Sequence, residues 1–283
     1  MNNWIILTIL YAIFIAFHES ANKKAVEKNS VYEVLAIFST AAFLLVALFT
    51  KDAFTISYNN LLLVIIKSVI VLCAWICGLK SIKQIEISIY GMINISTIIF
   101  ATLLSYFFLN ESISITTIIG MLIIITGLVL VNKTTNKEEN KKNKISAIIL
   151  ALLSSFFNSI SAILDKVILL RVTSSQLQFW FLLFLMIFYW IILMIKKNKI
   201  DIKKLSKNYW IYISAICLVL GDRFLFLANE NINSQVIIMT MLKRITVIVS
   251  IIIGKYMFKE KEIIKKLLYS ILIIIGIIIM TVL

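Results

Sequence analysis

The sequence of 283 residues contains no proline and only one histidine, His18. Without proline, a kink in any helix must come from glycine, a π-bulge or an inserted side chain. A lone histidine excludes a His-Glu-x-x-His zinc motif and a two-histidine catalytic dyad, and no apolar segment carries paired aspartates. We therefore expect no enzymatic activity, no metal site and no cofactor.

Cysteine is also scarce. The three cysteines, Cys73, Cys77 and Cys217, all lie in apolar segments, which predicts buried thiols rather than a disulfide framework. Cys73 and Cys77 are one helical turn apart, but no other metal-ligand residue is near them. A cleavable signal sequence is not expected, because Met1-Asn2-Asn3 lacks a basic segment.

Apolar residues, by contrast, are abundant. They make up 61% of the chain, whereas soluble domains average roughly 45–50%. They occur in long blocks such as 61–79 and 267–283, and a helix of about 20 apolar residues crosses a bilayer. The sequence therefore predicts an all-α membrane protein with ten transmembrane helices, at 4–23, 31–50, 59–79, 85–108, 114–132, 145–166, 176–195, 208–228, 234–257 and 265–283.

The ten predicted spans fall into two similar halves. Residues 1–132 and 145–283 form five-helix repeats joined by a hydrophilic linker, 133–144. An offset of 149 pairs Glu111 with Glu260 and Gly127 with Gly276, and an offset of 143 pairs Phe14 with Phe157, Lys23 with Lys166 and Phe38 with Phe181. Because each repeat has an odd number of spans, the second is inverted, with a solute site expected at mid-membrane between the halves.

The excess of basic residues predicts the orientation of the chain. There are 28 Lys and Arg against 14 Asp and Glu, which in a soluble protein would suggest nucleic acid. Here 21 of the basic residues lie in or beside odd-numbered connections and two in even-numbered ones. The positive-inside rule therefore predicts a multi-pass protein of the plasma (inner) membrane with the odd-numbered connections in the cytoplasm and both termini outside. A nucleic-acid partner is not expected.

Charged residues inside a span are costly, and they persist where they face a wet cavity or pair with each other. Lys243 and Arg244 lie about nine residues into span nine, which at ~1.5 Å per residue is ~14 Å deep and close to the midplane. One interpretation is a clamp for an anionic solute, since arginine binds carboxylate or phosphate bidentately and lysine adds a point charge. The other is internal neutralisation by Asp222 or Glu19.

Span eight contains Asp222 and Arg223 at a depth similar to that of Lys243. An ion pair between Asp222 and Lys243 is the favoured interpretation over direct binding of solute by Asp222. Arg223 is either a second anion contact or a structural residue, and the sequence leaves both open.

His18 and Glu19 lie late in span one. Glu19 is a candidate for proton coupling, because burial favours the neutral form of a carboxyl group, or else it neutralises Arg244. His18 is a second candidate for proton coupling, although a lone histidine is more often a packed polar residue than a functional one. Lys67 in span three has no evident partner and is expected to extend toward the interface, and Asp165 with Lys166 closes span six.

Other polar and aromatic residues are candidates for lining the solute site. Asn94 occupies the repeat position of Lys243, and Asn158 belongs to a polar stripe on span six. Small polar residues of this kind can also simply pack helices together. Tyr90 and Trp75 are candidate wall residues.

Two family resemblances follow from these residues. Two five-span repeats, in which Phe107-Phe108-Leu109-Asn110-Glu111 and Met257-Phe258-Lys259-Glu260 precede glycine-containing spans, resemble EamA-type members of the drug/metabolite transporter superfamily. Members usually carry prolines in spans four and nine, which this chain lacks.

Separately, the segment 241–250 resembles the ninth span of plastid sugar-phosphate translocators, whose Lys-Arg pair holds the substrate phosphate. This implies that Lys243 and Arg244 contact an anionic group, and Lys166 matches a lysine after the sixth span.

The sequence thus predicts a secondary transporter that moves a small organic anion or zwitterion by alternating access. Lys243 and Arg244 would bind the solute, with Arg223 and Lys166 as helpers. The alternatives are an exporter of cationic drugs or metabolites, in which Glu19 and Asp222 contact the solute, and a non-transporting membrane subunit. The expected partners are the solute, the lipid bilayer and a second copy in a homodimer.

Overall fold

The computed structural model describes residues 3–50, 53–109, 113–133, 141–196, 205–229, 239 and 242–282. This part of the chain contains helices and no β-strand. The helices are α1 (Asn3–Glu27), α2 (Val31–Ala47), a 3₁₀ turn (Ala53–Thr55), α3 (Tyr58–Ile82), α4 (Ile87–Asn94), α5 (Ser96–Leu109), α6 (Ile115–Lys133), α7 (Lys141–Leu169), α8 (Ser174–Lys196), α9 (Tyr209–Asn229), α10 (Ile245–Phe258) and α11 (Ile263–Val282).

These helices confirm the predicted membrane fold. Eight of the ten predicted spans correspond to a single helix each, while span four is divided into α4 and α5, and α10 forms the later part of span nine. Six described helical segments are long and apolar enough to cross a membrane, and the shorter α2, α6 and α10 are also apolar. All three cysteines are free thiols, but Cys217 alone among them is buried as expected, whereas Cys73 and Cys77 are partly exposed.

The contacts between the two halves follow the symmetry of the repeats. The most extensive helix contacts join α1 to α9, α3 to α7, α6 to α11 and α2 to α8. Each of these contacts pairs one helix from the first half with one from the second. Because corresponding helices are five spans apart, exchanging the halves turns the α1–α9 pair into the α7–α3 pair. This is the contact pattern of two five-helix repeats.

Helices α6 and α11 approach closely at a pair of glycines. A Cβ atom added to Gly120 would lie 2.5 Å from the Gly276 carbonyl oxygen, and one added to Gly127 would lie 2.5 Å from the Ile273 side chain. Small residues allow transmembrane helices to come together in this way, because hydrophobic attraction between helices is weak in lipid. The glycines of spans five and ten therefore hold the two repeats together at this edge.

Spans four and nine both break without proline. In span four, Ile95 and Ile98 donate backbone hydrogen bonds three residues back, to Met92 (3.1 Å) and Ile95 (2.9 Å). In span nine, Thr246 and Val247 do the same, to Lys243 (3.2 Å) and Arg244 (3.0 Å). Such i→i−3 bonds mark a tightened turn that often accompanies a functional hinge.

The break positions are equivalent in the two repeats. The offset of 149 aligns Asn94 with Lys243 and Thr97 with Thr246. The Thr97 hydroxyl donates to the Asn94 carbonyl oxygen at 2.7 Å, whereas the Thr246 hydroxyl donates to the Ala12 carbonyl oxygen on α1 at 3.1 Å. Hydroxyl bonds to main-chain carbonyls therefore accompany both breaks in place of proline.

Described residues of the first, third and seventh connections lie together at one end of the bundle. Lys83 donates to the Asn29 carbonyl oxygen at 2.9 Å, and Asn208 donates to the Ala25 carbonyl oxygen at 3.1 Å. We call this end the lysine-rich face. At the opposite face, the Trp180 indole donates to the Ala53 carbonyl oxygen at 2.7 Å. The assignment of the lysine-rich face to the cytoplasm stays a prediction.

Candidate functional site

Lys243 and Arg244 lie in the break of span nine, in the turn that precedes α10. Both are partly buried, and the Lys243 ammonium lies 5.7 Å from the centre of the Tyr11 ring. Within the described residues neither side chain forms an ion pair, and the buried Nε of Arg244 has no hydrogen-bond partner. The break therefore presents two adjacent cations, and no carboxylate in the described part of the chain neutralises either of them by contact.

The predicted ion pair between Asp222 and Lys243 is wrong. Among the described residues Asp222 makes no ion pair, although it lies in the electrostatic field of Lys67, Asp165 and Lys243. The depth argument assumed that span nine is a continuous helix, with a fixed rise per residue. Because Lys243 lies in a turn instead, its side chain is directed over Tyr11 rather than onto Asp222.

The expectation that Lys67 has no partner is also wrong. Its ammonium lies 2.7 Å from the Asp165 carboxylate, donates to the Ser161 hydroxyl at 3.1 Å and lies 4.6 Å from the centre of the Phe181 ring. Asp165 is therefore half of an ion pair between α3 and α7. The Lys166 side chain lies outside the described residues.

Glu19 and Asn94 meet beside the break of span four. The Asn94 amide donates to the Glu19 carboxylate at 3.4 Å and accepts from the Ser155 hydroxyl at 3.3 Å. Glu19 is 9% exposed, and its second carboxylate oxygen has no partner among the described residues. Glu19 does not neutralise Arg244 by direct contact, but the Tyr11 hydroxyl lies in the field of both residues.

His18 links α1 to α9. Its Nδ1 lies 3.0 Å from the Ser214 carbonyl oxygen and 2.9 Å from the Ser214 hydroxyl, and its Nε2 lies 3.2 Å from the Asn22 amide. The ring also packs against Phe38, with centroids 5.3 Å apart. Since both ring nitrogens are engaged, His18 is held as a packing residue, and Glu19 is the stronger proton-coupling candidate.

The aromatic candidates lie in the same interior. The Trp75 ring lies between Phe38 (centroids 5.4 Å apart) and Phe181 (5.9 Å), two residues that the offset of 143 makes equivalent. Tyr90 is buried, and its hydroxyl lies beside Gly78, as does that of Ser154. A Cβ atom at Gly78 would lie 2.8 Å from the Tyr90 hydroxyl, so this glycine makes room for it.

The remaining candidates lie in different surroundings. Asn158 is partly buried on α7, on the same helical face as Ser154, Ser161 and Asp165, since residues three, four and seven apart share a face. Arg223 is exposed, and it donates to the Ser175 hydroxyl at the start of α8 at 3.2 Å. The structure thus gathers the other described candidates in the interior and places Arg223 at the surface.

The sequence overlooked two members of this site. Tyr11 lies in the fields of Asp222, Arg244, Glu19 and Asp165, yet a single tyrosine in an apolar span gives no signal of its own. Ser155 belongs to the serine run of span six, but only the structure shows its bond to Asn94. We call Tyr11, Lys67, Asp165, Asp222, Lys243 and Arg244 the charge cluster, and Glu19, Asn94 and Ser155 the Glu19 cluster.

Two five-helix repeats with central broken spans and interior charges define a transporter-type membrane protein. The sequence profile of the EamA-like transporter family matches residues 2–133 and 145–282, one match for each repeat, and the chain belongs to this family. The protein is thus a multi-pass membrane transporter of small solutes, as its family membership indicates.

The comparison with solved structures supports the same fold. A structure described only as "Crystal structure of protein" is similar to this chain, with a TM-score of 0.66 and 10% sequence identity over 97% of this chain and 95% of the other. At this identity the likeness concerns the fold alone. No curated protein matches the sequence.

Proposed function

We propose that the protein is a secondary transporter that carries a small organic anion or zwitterion by alternating access. The observation that supports this most directly is an unsatisfied hydrogen-bond donor on Arg244. Its Nε is buried at a break in span nine without a hydrogen-bond partner in the described part of the chain. A buried guanidinium donor without a partner is costly, and a bound carboxylate or phosphate would satisfy it.

Three features of the site favour an anion over a structural role for the cations. Lys243 is adjacent to Arg244, so positive charge is concentrated at one turn. The carboxylate of Asp165 is already paired with Lys67. Asp222 lies within electrostatic range of Lys243 but not in contact with it. The charge cluster therefore attracts a small anion, because neither Asp165 nor Asp222 is in contact with the two cations.

A cation is the second candidate, and the Glu19 cluster favours a solute with an ammonium group, whether zwitterion or cation. Glu19 has a buried carboxylate oxygen with no described partner. An ammonium group could bind there, and Tyr11 lies in the field of both Glu19 and Arg244. In the cation-exporter alternative, Glu19 and Asp222 would contact the solute while Lys243 and Arg244 would only balance their charge.

A thermal-shift screen of the purified protein separates these candidates. We would test carboxylates, phosphates, amino acids and quaternary amines, since a ligand at 100 times its Kd stabilises a folded protein by about 2.7 kcal/mol. The proposal expects a rise in Tm with carboxylates, phosphates or amino acids, followed by uptake of that solute in proteoliposomes. Stabilisation by quaternary amines alone would support the cation exporter and overturn the proposal.

A further inference from the structure

The lysine-rich face contains a buried ionic cluster that the proposed solute site does not use. Lys266 on α11 is fully buried, at 0% exposure. Its ammonium lies 2.7 Å from the Glu86 carboxylate and 3.1 Å from the Glu260 carboxylate. Glu86 belongs to the first repeat, and Glu260 and Lys266 belong to the second. The cluster is therefore an ionic link between the two repeats.

Glu260 also caps a helix of the opposite repeat. Its carboxylate accepts a hydrogen bond from the Ile87 backbone N–H at 2.6 Å and another from the Ser88 hydroxyl, both at the start of α4. The first N–H groups of a helix lack partners within that helix, and a carboxylate there interacts favourably with the helix dipole. Glu86, which holds the N-cap position, makes no side-chain cap of its own. The cap of α4 thus comes from the second repeat.

The main-chain conformation after α10 positions the Glu260 carboxylate. Lys259 and Glu262 have positive φ angles of 54° and 57°, uncommon for residues other than glycine. The Glu260 N–H donates to the Gly254 carbonyl oxygen at 3.0 Å, and a Cβ atom at Gly254 would lie 2.6 Å from the Glu260 carboxylate. A glycine and two left-handed residues therefore fix the position of Glu260 against α10.

The capped helix leads directly to the Glu19 cluster. Helix α4 has eight residues, from Ile87 to Asn94, and Asn94 bonds Glu19 and Ser155 at its other end. The inner faces of spans four and nine also touch here, since a Cβ atom at Gly91 would lie 3.5 Å from Ser250. Separation of the repeats at the lysine-rich face would remove the cap from α4 and leave Lys266 without Glu86.

We propose that Glu260, together with Lys266 and Glu86, forms a latch that holds the lysine-rich face closed, and that release of the α4 N-terminus from Glu260 is part of its opening. This inference rests on the proposed alternating-access function. A transporter of this type must part its repeats first at one face and then at the other. The latch gives the closed state of one face a defined set of contacts between the two repeats.

One-sided thiol labelling tests the latch. The reporter is Ser155→Cys, close to the end of α4, in a background where Cys73, Cys77 and Cys217 are replaced by serine. A membrane-impermeant thiol reagent is applied from each side of oriented vesicles, without solute. Glu260→Gln is expected to raise labelling from the lysine-rich side by about tenfold, the change in an equilibrium constant for one lost charge-assisted hydrogen bond.

The control is Glu262→Gln, two residues away. The Glu262 side chain forms an exposed pair with Lys265 at 2.8 Å. Its contact with Lys266 is between main-chain atoms, the Lys266 N–H donating to the Glu262 carbonyl oxygen at 3.1 Å, and a side-chain substitution leaves it in place. Labelling of Glu262→Gln should therefore equal that of the parent. Glu260→Asp, which keeps the charge but shortens the side chain, should give an intermediate rate and serves if the glutamine variant fails to fold. Unchanged labelling, or an equal rise from both sides, would overturn the latch. Because the assay needs no solute, its failure is distinct from failure of the thermal-shift screen.

Discussion

Spans four and nine break at equivalent positions, but the two breaks carry different side chains in different states. At the break of span four, the Asn94 amide is engaged with Glu19 and Ser155. At the break of span nine, Lys243 and Arg244 have no carboxylate in contact within the described residues. The repeat thus places the same backbone break in both halves, and of the two described breaks the one in span nine carries the cationic side chains.

The largest expected effect comes from removing that charge. Arg244→Gln should weaken binding of the solute identified by thermal shift about 10- to 100-fold, because a charge-assisted hydrogen bond contributes roughly 1.5–3 kcal/mol. Kd from titration of the purified variant is the measurement. Asn94→Ala, at the equivalent break, should weaken binding less than threefold but lower stability by about 1–3 kcal/mol, since it leaves Glu19 without its amide partner.

The inert control is Arg171→Gln, an exposed cation in the turn after α7. If Arg171→Gln weakens binding as much as Arg244→Gln, the loss of affinity reflects the net charge of the protein. The prediction that Arg244 contacts the solute would then be wrong. Equal losses of affinity from Arg244→Gln and Asn94→Ala would show that both breaks contact the solute.

A smaller effect is expected from the ion pair between α3 and α7. Lys67→Met should lower stability by about 1–2 kcal/mol, less than for a fully buried pair because the Asp165 side chain is 36% exposed. The double variant Lys67→Met with Asp165→Leu should recover most of the loss, since it leaves no unpaired carboxylate. Thermal unfolding followed at one detergent concentration is the measurement.

The exposed pair of Lys24 and Glu27, 3.0 Å apart, gives the matched control. Glu27→Gln should change stability by less than roughly 0.5 kcal/mol, as is usual for surface pairs. A double variant at Lys67 and Asp165 that is no more stable than the single one would show that the pair acts through packing rather than charge.

The smallest effect concerns pH at the lysine-rich face. Burial raises the pKa of Glu86 despite the nearby Lys266 and Lys23, and the Glu260 charge raises it further. Because the pKa of Glu86 is higher in the folded protein than in the unfolded chain, the contribution of Glu86 to the free energy of unfolding is fully present below its ordinary pKa of 4.5. That contribution is lost as the pH rises through the raised pKa. Glu86→Gln should therefore match the parent in Tm at about pH 4 and exceed it slightly near pH 7. A parent that gains stability relative to Glu86→Gln with rising pH would contradict this.

The sequence predicted the span pattern closely, because a bilayer requires long apolar helices and leaves few other choices. The repeat in the sequence also aligns Asn94 with Lys243, and both residues lie at breaks in the structure. The sequence did not predict the ion pairs correctly. Lys67 and Asp165 come from distant segments, and a depth calculation along a straight helix cannot foresee that Lys243 lies in a turn.

The sequence by itself determined that the chain is a ten-span, two-repeat membrane protein with positive charge inside span nine, because apolar length, repeated residues and basic connections are properties of the chain read in order. Only the tertiary structure decided which carboxylate meets which cation, that Asn94 is engaged while Arg244 is not, and that Glu260 caps a helix of the other repeat. The physical reason is that these contacts act over a few ångströms between residues far apart in sequence. Their distances depend on how helices pack and where they break, and spacing along the chain does not encode either.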